Sequence, residues 1–280
     1  MTTMDVLKYL RRLGVEHLAG QEPSADHLTA LHRAHAERVP YECLWIWIGQ
    51  RTTVDAAESA DRVLRGRGGY CYHLNGAFAL LLESLGYRVT RHVGGVQSQD
   101  HPAGATGNHL VLTVSGLPSA AAPDGHWLAD LGMGDGLHDP LPLVTGEFRQ
   151  GPFRYALRPS EAEPGGWRFD HDPRGSFPGM DFRAEPAAMA DFAERHEFLS
   201  TSPESGFVRV ATAARRDADG ADILRGLTLT RVAAETTTTT LDGRAAYLAA
   251  LADVFGLTYR PPEQDLLWRR VSAAHERWTS

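Results

Sequence analysis

The chain carries two cysteines, and one of them, Cys71, lies in RGRGGYCYHLNGAFALLLESLG, where Arg67, Gly68 and Gly69 precede it and an apolar helical pattern follows. Sulfur is a strong nucleophile as the thiolate, and a helix amino terminus or a neighbouring cation favours that charge. Glycines let the backbone approach a substrate closely, and the N–H groups of a first helical turn can hold a developing oxyanion. Cys71 is therefore the candidate nucleophile of an acyl transfer, a reaction that needs a histidine base oriented by a third polar group. His109 in NHLVLTV and Asp130 in HWLADLG are the candidates for those two parts. An antiparallel hairpin closed with Val114 opposite Gly125 puts His109 opposite Asp130. Directly opposed Cβ atoms lie roughly 4.5–5.5 Å apart, within reach of an imidazole–carboxylate bond.

Three kinds of element must position these groups. Met4, Leu7, Leu10 and Leu13, then Leu28, Leu31 and His35 after Pro23, predict amphipathic helices, and VDAAESADRVLRG predicts another. Leu74, Phe78, Leu81, Leu82 and Leu85 line one face of a helix that starts at Cys71 and stops at Gly86. From Tyr87 to about Arg183 the pattern changes to short alternating runs (YRVTRHVGGV, NHLVLTV, HWLADLG, FRYALRP, WRFD) broken by Gly, Pro and Asp, which predicts a β-rich middle. The last part mixes a helix over 189–197, strands in GFVRVATAA and ILRGLTLTRV, and a helix over 245–255. TTTTT at 236–240 suits an exposed strand, because threonine is β-branched.

Composition narrows the function classes. A length of 280 residues is ample for a buried core, and two cysteines build no disulfide scaffold, which fits a reducing compartment. With 28 Lys and Arg against 35 Asp and Glu, the net charge of −7 argues against a general nucleic-acid or anionic-membrane binder, so an anionic ligand must meet local basic groups. MTTMDVLKYLRRLGVEH mixes charges into its apolar residues, unlike a signal peptide, and no spanning apolar run occurs, so a cytoplasmic location is expected.

VPYECL, RGGYCYHLNGAFALLLESLGYRV, NHLVLTV, WLADLGMGDG with PLPL, and FLSTSPESGFV, in that order, closely resemble the arylamine N-acetyltransferases. The resemblance covers nearly the whole chain, ILRGLTLTRV and the closing helix included, and implies an α+β fold in three parts. These are a helical bundle (1–86) carrying the nucleophile, a β-barrel (87–188) carrying the histidine and aspartate, and a connecting helix with an α/β lid (189–280). It implies a cysteine-protease-like triad of Cys71, His109 and Asp130. The reaction it implies is ping-pong: the thiolate takes the acetyl group of acetyl-coenzyme A and an amine then accepts it. No permanent cofactor or metal is required. Glu42 and Arg67 match a family acid and arginine that pair to brace the active-site loop. Ser200, Thr201 and Ser202, with Gly132 and Gly134, are expected at the coenzyme, and Tyr41, Tyr70 and Met133 at the acceptor amine.

The chain also departs from the family pattern. Cys43 in PYECL stands where asparagine is usual, His73 where Glu or Gln is common, and Trp45 and Trp47 where smaller residues are typical; both tryptophans are expected in the core. GMGDG replaces the common GFGG and brings Met133 and Asp135 to the site. A carboxylate beside a coenzyme A phosphate is unfavourable. The alternative is therefore an amide or macrolactam synthase using a larger acyl thioester, with an acyl carrier protein as partner. A thiol hydrolase and a non-catalytic binding protein are further rivals, the latter opposed by the intact Cys71, His109 and Asp130. GRGGYC lacks the third glycine and the strand context of a phosphate loop. His92, His101, His109, His126 and His138 lack the spacing of a zinc site.

Overall fold

The structure, a computed structural model, describes residues 4–98 and 103–279. Its first part holds α1 (Val6–Leu13), α2 (Ala25–Arg38), β1 (Tyr41–Glu42), α3 (Leu44–Trp47), α4 (Ala56–Leu64) and α5 (Cys71–Ser84). Helices α1, α2 and α4 begin on side-chain caps, where Asp5, Ser24 and Asp55 accept the amides of Lys8, His27 and Glu58 at 2.9, 3.1 and 2.8 Å. Each cap satisfies one of the amides that a helix start leaves without a carbonyl. Helix α5 differs, because its N-cap Tyr70 makes no side-chain cap bond. The His73 amide bonds the Tyr70 carbonyl at 2.9 Å, so the amides of Cys71 and Tyr72 lead the turn. Leu74, Phe78, Leu81 and Leu82 of α5 are buried as the spacing predicts, but so are Tyr72, His73, Asn75 and Ala79 on the other faces, making α5 the central helix.

Eight strands form one antiparallel sheet: β2 (Arg88–Val96), β3 (His109–Ser115), β4 (Trp127–Leu128), β5 (Leu141–Pro142), β6 (Gly146–Gln150), β7 (Phe153–Pro159), β8 (Trp167–Asp170) and β9 (Gly179–Pro186). The order is β5-β4-β3-β2-β9-β8-β7-β6. The two edge strands are joined only through residues 143–145, so the sheet must curl into a nearly closed barrel. In β7, Phe153, Tyr155 and Leu157 point into the barrel core with Phe169, Met180 and Phe182, and Arg154 points out, the two-residue period of a half-buried strand.

The hairpin of β3 and β4 pairs Val114 with Trp127 and Thr113 with Leu128, two residues away from the expected register. The connection closes lower because Gly125, at φ 71°, turns back onto Leu117, whose amide bonds the Gly125 carbonyl at 3.1 Å. A two-residue shift keeps every side chain on its expected face.

After a 3₁₀ turn at Met189–Phe192 come α6 (Ala193–Thr201) and α7 (Gly206–Arg209), then β10 (Thr212–Asp217), β11 (Gly220–Arg225), β12 (Thr228–Val232), β13 (Thr236–Thr240), α8 (Gly243–Asp253) and α9 (Pro261–Thr279). The run GFVR, expected to begin a strand, is instead the helical turn α7, started by the Ser205 hydroxyl accepting the Phe207 amide. The five threonines form β13, exposed throughout, as expected. Strand β1 pairs with β10, giving the second sheet the order β1-β10-β11-β12-β13. Cys43, Leu44 and Trp47 pack with Leu224, Tyr247, Leu251, Phe255 and Leu267. Each large apolar side chain so buried stabilises the junction by roughly 1.5–3 kcal/mol. Among the described residues no helix is long and apolar enough to cross a membrane.

Candidate active site

Cys71, the first residue of α5, lines a cleft of about 330 Å³ whose walls are the barrel loops on one side and α6, α7, β10 and β11 on the other. His109, at the start of β3, lines it too. His109 Nε2 lies 2.7 Å from Asp130 Oδ2, and both side chains are buried. That contact occupies Nε2 and leaves Nδ1 for a second partner. The Cys71 thiol reaches the Asn108 carbonyl at 3.7 Å. Burial pulls the imidazole's pKa down, but the charges of Asp130 and Cys71 and their hydrogen bonds more than offset it and carry it up to about 10. The surroundings thus favour the imidazolium form of the ring.

Asp130 is fixed by a residue that the sequence reading passed over. Its Oδ1 accepts the Asn75 amide and the Gly132 backbone N–H, both at 2.8 Å. Asn75 also donates to the Leu110 carbonyl at 2.6 Å and accepts the Leu131 amide at 2.8 Å. One turn beyond Cys71 on the same helix, a polar amide amid apolar neighbours was the available signal. Gly132 is required by proximity: a Cβ there would lie 2.6 Å from the Cys71 Cβ. Gly68 and Gly69, expected to admit a substrate, instead admit protein. A Cβ on Gly68 would sit 1.8 Å from the Pro40 carbonyl oxygen, and one on Gly69 would meet the His73 Cβ at 2.5 Å and its ring at 2.7 Å.

The remaining expected residues divide. Tyr41, Gly132, Met133 and Gly134 line the cleft. Tyr70 does not: it is fully buried behind Cys71, stacked on Phe207 at 5.0 Å with its hydroxyl 2.6 Å from His196 Nδ1. Ser200, Thr201 and Ser202 also lie off the cleft. The first two hydroxyls are turned back to the Glu197 carbonyl of their own helix, and Ser202 Oγ accepts the Glu204 amide. Their neighbours Leu199, Gly206 and Phe207 line the cleft in their place.

The expected brace between Glu42 and Arg67 is replaced. Glu42 pairs with Arg62 of α4 at 3.3 Å and accepts the Leu44 amide at 2.7 Å. Arg67 instead bonds the Thr258 carbonyl at 2.6 Å and lies over the Tyr259 ring. Arg62 braces the loop before Cys71 as well, donating to the Gly68 carbonyl at 3.1 Å.

Trp45 and Trp47 are core residues. Cys43 is buried with its sulfur accepting the Thr212 amide at 3.3 Å, and burial pushes its thiol up to about 12, which makes it a packing residue. His101 lies outside the described residues. Among those described, no group of three His, Cys, Asp or Glu side chains is arranged to hold a metal ion.

A nearly closed barrel between a helical segment and an α/β segment, with thiol, imidazole and carboxylate in line, is the architecture of a transferase class. A family model described as N-acetyltransferase matches residues 24–263. The arylamine N-acetyltransferase of Mycolicibacterium smegmatis is 32% identical over 269 residues, covering 91% of this chain and 92% of that protein. Human arylamine N-acetyltransferase 1 is 28% identical over 251 residues, covering 81% and 83%. The solved Mycobacterium marinum arylamine N-acetyltransferase in complex with CoA superposes with a TM-score of 0.82 at 28% identity, covering 96% of this chain and 99% of that one. The chain belongs to the arylamine N-acetyltransferase family.

Proposed function

We propose that this enzyme moves an acetyl group from acetyl-coenzyme A to the nitrogen of an arylamine or hydrazine through an acetyl-Cys71 intermediate. The observation that carries the reading is the line from Cys71 through His109 to Asp130, closed by the 2.7 Å contact. The Cys71 thiolate attacks the thioester carbonyl. The carbonyl oxygen takes the negative charge within reach of the α5 first-turn amides. Collapse breaks the bond to the coenzyme sulfur, which leaves with the proton of His109. The amine then attacks the acetyl-cysteine, His109 takes a proton from its nitrogen, and the sulfur departs as thiolate, restoring the imidazolium pair. Asp130 keeps the ring in the orientation that serves both halves.

The charge layout of the cleft supports an anionic donor despite the chain's net charge. Among the described lining residues, Arg195 of α6 and Arg225 of β11 bring cations to the lid wall. Val210, Ile223 and Arg225 also line an adjoining cavity of about 220 Å³, which gives a long donor arm room beyond the cleft. The names of the relatives favour acetyl over a larger carrier-bound acyl group.

Incubating the protein with acetyl-coenzyme A and mapping the adduct by peptide mass spectrometry tests the reading. One acetyl group on Cys71, chased off by an arylamine, is the expected result. Cys71→Ser is expected to fold and lose transfer. Turnover retained by that variant, or acetylation elsewhere, sinks the mechanism.

A further inference from the structure

Behind Cys71 lies a chain of buried polar groups that the transfer chemistry leaves unused. Tyr70 is the N-cap of α5, and its carbonyl accepts the amides of His73 and Leu74 at 2.9 and 3.0 Å. The peptide it shares with Cys71 therefore shifts only when Tyr70 shifts. The Tyr70 hydroxyl lies 2.6 Å from Nδ1 of His196, a buried residue of α6. On the far side of that ring, Nε2 lies 2.8 Å from the Thr52 carbonyl. A carbonyl only accepts, so in the neutral ring Nε2 carries the proton and Nδ1 accepts from the Tyr70 hydroxyl.

Thr52, in the loop between α3 and α4, is the common anchor. Its hydroxyl bonds Nε2 of His73 at 3.0 Å, which gives a place to the histidine that departs from the family pattern. Thr52 thus holds His73 directly and Tyr70 through His196, and these two residues flank Cys71 and Tyr72 in the chain. Trp45 closes the space, stacking on the His196 ring at 6.0 Å and meeting His73 edge-on at 5.4 Å. With the rings buried, bulk water cannot take over a lost partner, so each bond counts in full. Arg195 and Leu199, four residues apart on α6, line the cleft. The helix that forms this stretch of the cleft wall is therefore the one that holds Tyr70.

We infer that His196 is a positioning residue of the acyl transfer: acting through Tyr70, it sets where the Cys71 sulfur and the first amides of α5 stand relative to His109. The inference deepens the acyl-transfer reading and rests on it for turnover, whereas the placing of the sulfur has a readout that needs no transfer.

Two substitutions separate the two bonds of the ring. Asparagine puts an acceptor where Nδ1 stands, and glutamine puts an N–H donor where Nε2 stands, so His196→Asn keeps the bond to Tyr70 and His196→Gln keeps the bond to Thr52. The readouts are kcat and KM for acetyl-coenzyme A with 4-methylaniline, the rate of Cys71 alkylation by iodoacetamide at neutral pH, and the melting midpoint. Tyr70→Phe and His196→Gln are each expected to lower kcat and the alkylation rate about tenfold with KM unchanged, as the loss of one buried hydrogen bond at the nucleophile implies. The double variant is expected to fall no further than either single one, because both delete the same bond. His196→Asn is expected to stay within about threefold of the wild-type rates, although it too has lost a buried bond. A merely structural role predicts instead that His196→Asn and His196→Gln lose alike and that the rates follow the melting midpoint. That outcome, additive losses in the double variant, or wild-type rates in Tyr70→Phe overturns the inference. Where His196→Gln does not fold, Tyr70→Phe, which lacks a single oxygen, decides by its alkylation rate. A protein that takes no acetyl on Cys71 yet shows this alkylation pattern refutes the proposed function and leaves the positioning standing; acetylation of Cys71 with alkylation unchanged in Tyr70→Phe does the opposite.

Discussion

At the residue scale the central fact is the two-sided hold on His109. Asp130 gives Oδ2 to the imidazole and Oδ1 to Asn75 and Gly132, so it cannot rotate away without breaking two further bonds. Burial alone would expel the imidazole's proton; the charges on either side keep it to about pH 10. A histidine whose folded pKa is raised contributes stability in full below its unfolded value of about 6.5, and loses it as pH rises through about 10. Asp130→Asn removes one of the two charges and leaves burial less opposed. The alkaline limb of the pH profile for Cys71 alkylation and for acetyl transfer is then expected to fall by at least about one pH unit. The same substitution shrinks the stability margin between those two pH values. An alkaline limb that stays in place means that something other than Asp130 holds the proton.

At the element scale, the start of α5 is set by what surrounds the loop before it. Arg62 grips that loop at Gly68 and neutralises Glu42, whose side chain is fully buried. Arg62→Met is expected to cost about 3–5 kcal/mol, because it strands a buried charge. Arg67→Met removes a carbonyl bond and a ring contact at a more exposed site and is expected to cost about 1 kcal/mol. Denaturant unfolding of the two variants checks this, and equal losses would restore Arg67 as the brace. The sequence could not separate the two arginines, since both precede the same loop and only the packing of α4 against α5 decides which one turns inward. The same limit explains the hairpin. The alternation in NHLVLTV and HWLADLG was legible and put His109 and Asp130 on one face, but the fold of the Gly125 turn onto Leu117 is not written in that alternation. Ser200, Thr201 and Ser202 show it again: their hydroxyl chemistry suited a ligand, yet at a helix end the Glu197 carbonyl competes for the first two. Cys71, where local sequence and local structure coincide, was readable; Asn75, whose role depends on a loop far along the chain, was not.

At the scale of the molecule, the three parts implied by the family resemblance share a sheet and a core. Strand β1 belongs to the first part by sequence and to the last sheet by pairing. Cys43, Leu44 and Trp47 belong to the last core, Arg270 of α9 bonds the Trp47 carbonyl at 2.9 Å, and Phe207 stacks on Tyr70 directly behind Cys71. The lid side of the cleft thus holds the first turn of α5 in place as well as lining it. A chain ending at Pro203 keeps Cys71, His109, Asp130 and the whole barrel sheet, so an independent lid predicts a folded product with a reactive thiol. The interlocked core predicts the reverse: β1 loses its partner strand, and the apolar faces of α3 lose their cover. The shortened chain is expected to lose its cooperative melt or to melt more than about 10 °C lower, since each lost kcal/mol moves the midpoint by a few degrees at this size. Its Cys71 is expected to alkylate without protection by acetyl-coenzyme A. Circular dichroism melting and timed alkylation decide between the two, and a shortened chain that melts within a few degrees of the full one, with Cys71 still protected, would show that the lid only covers the site.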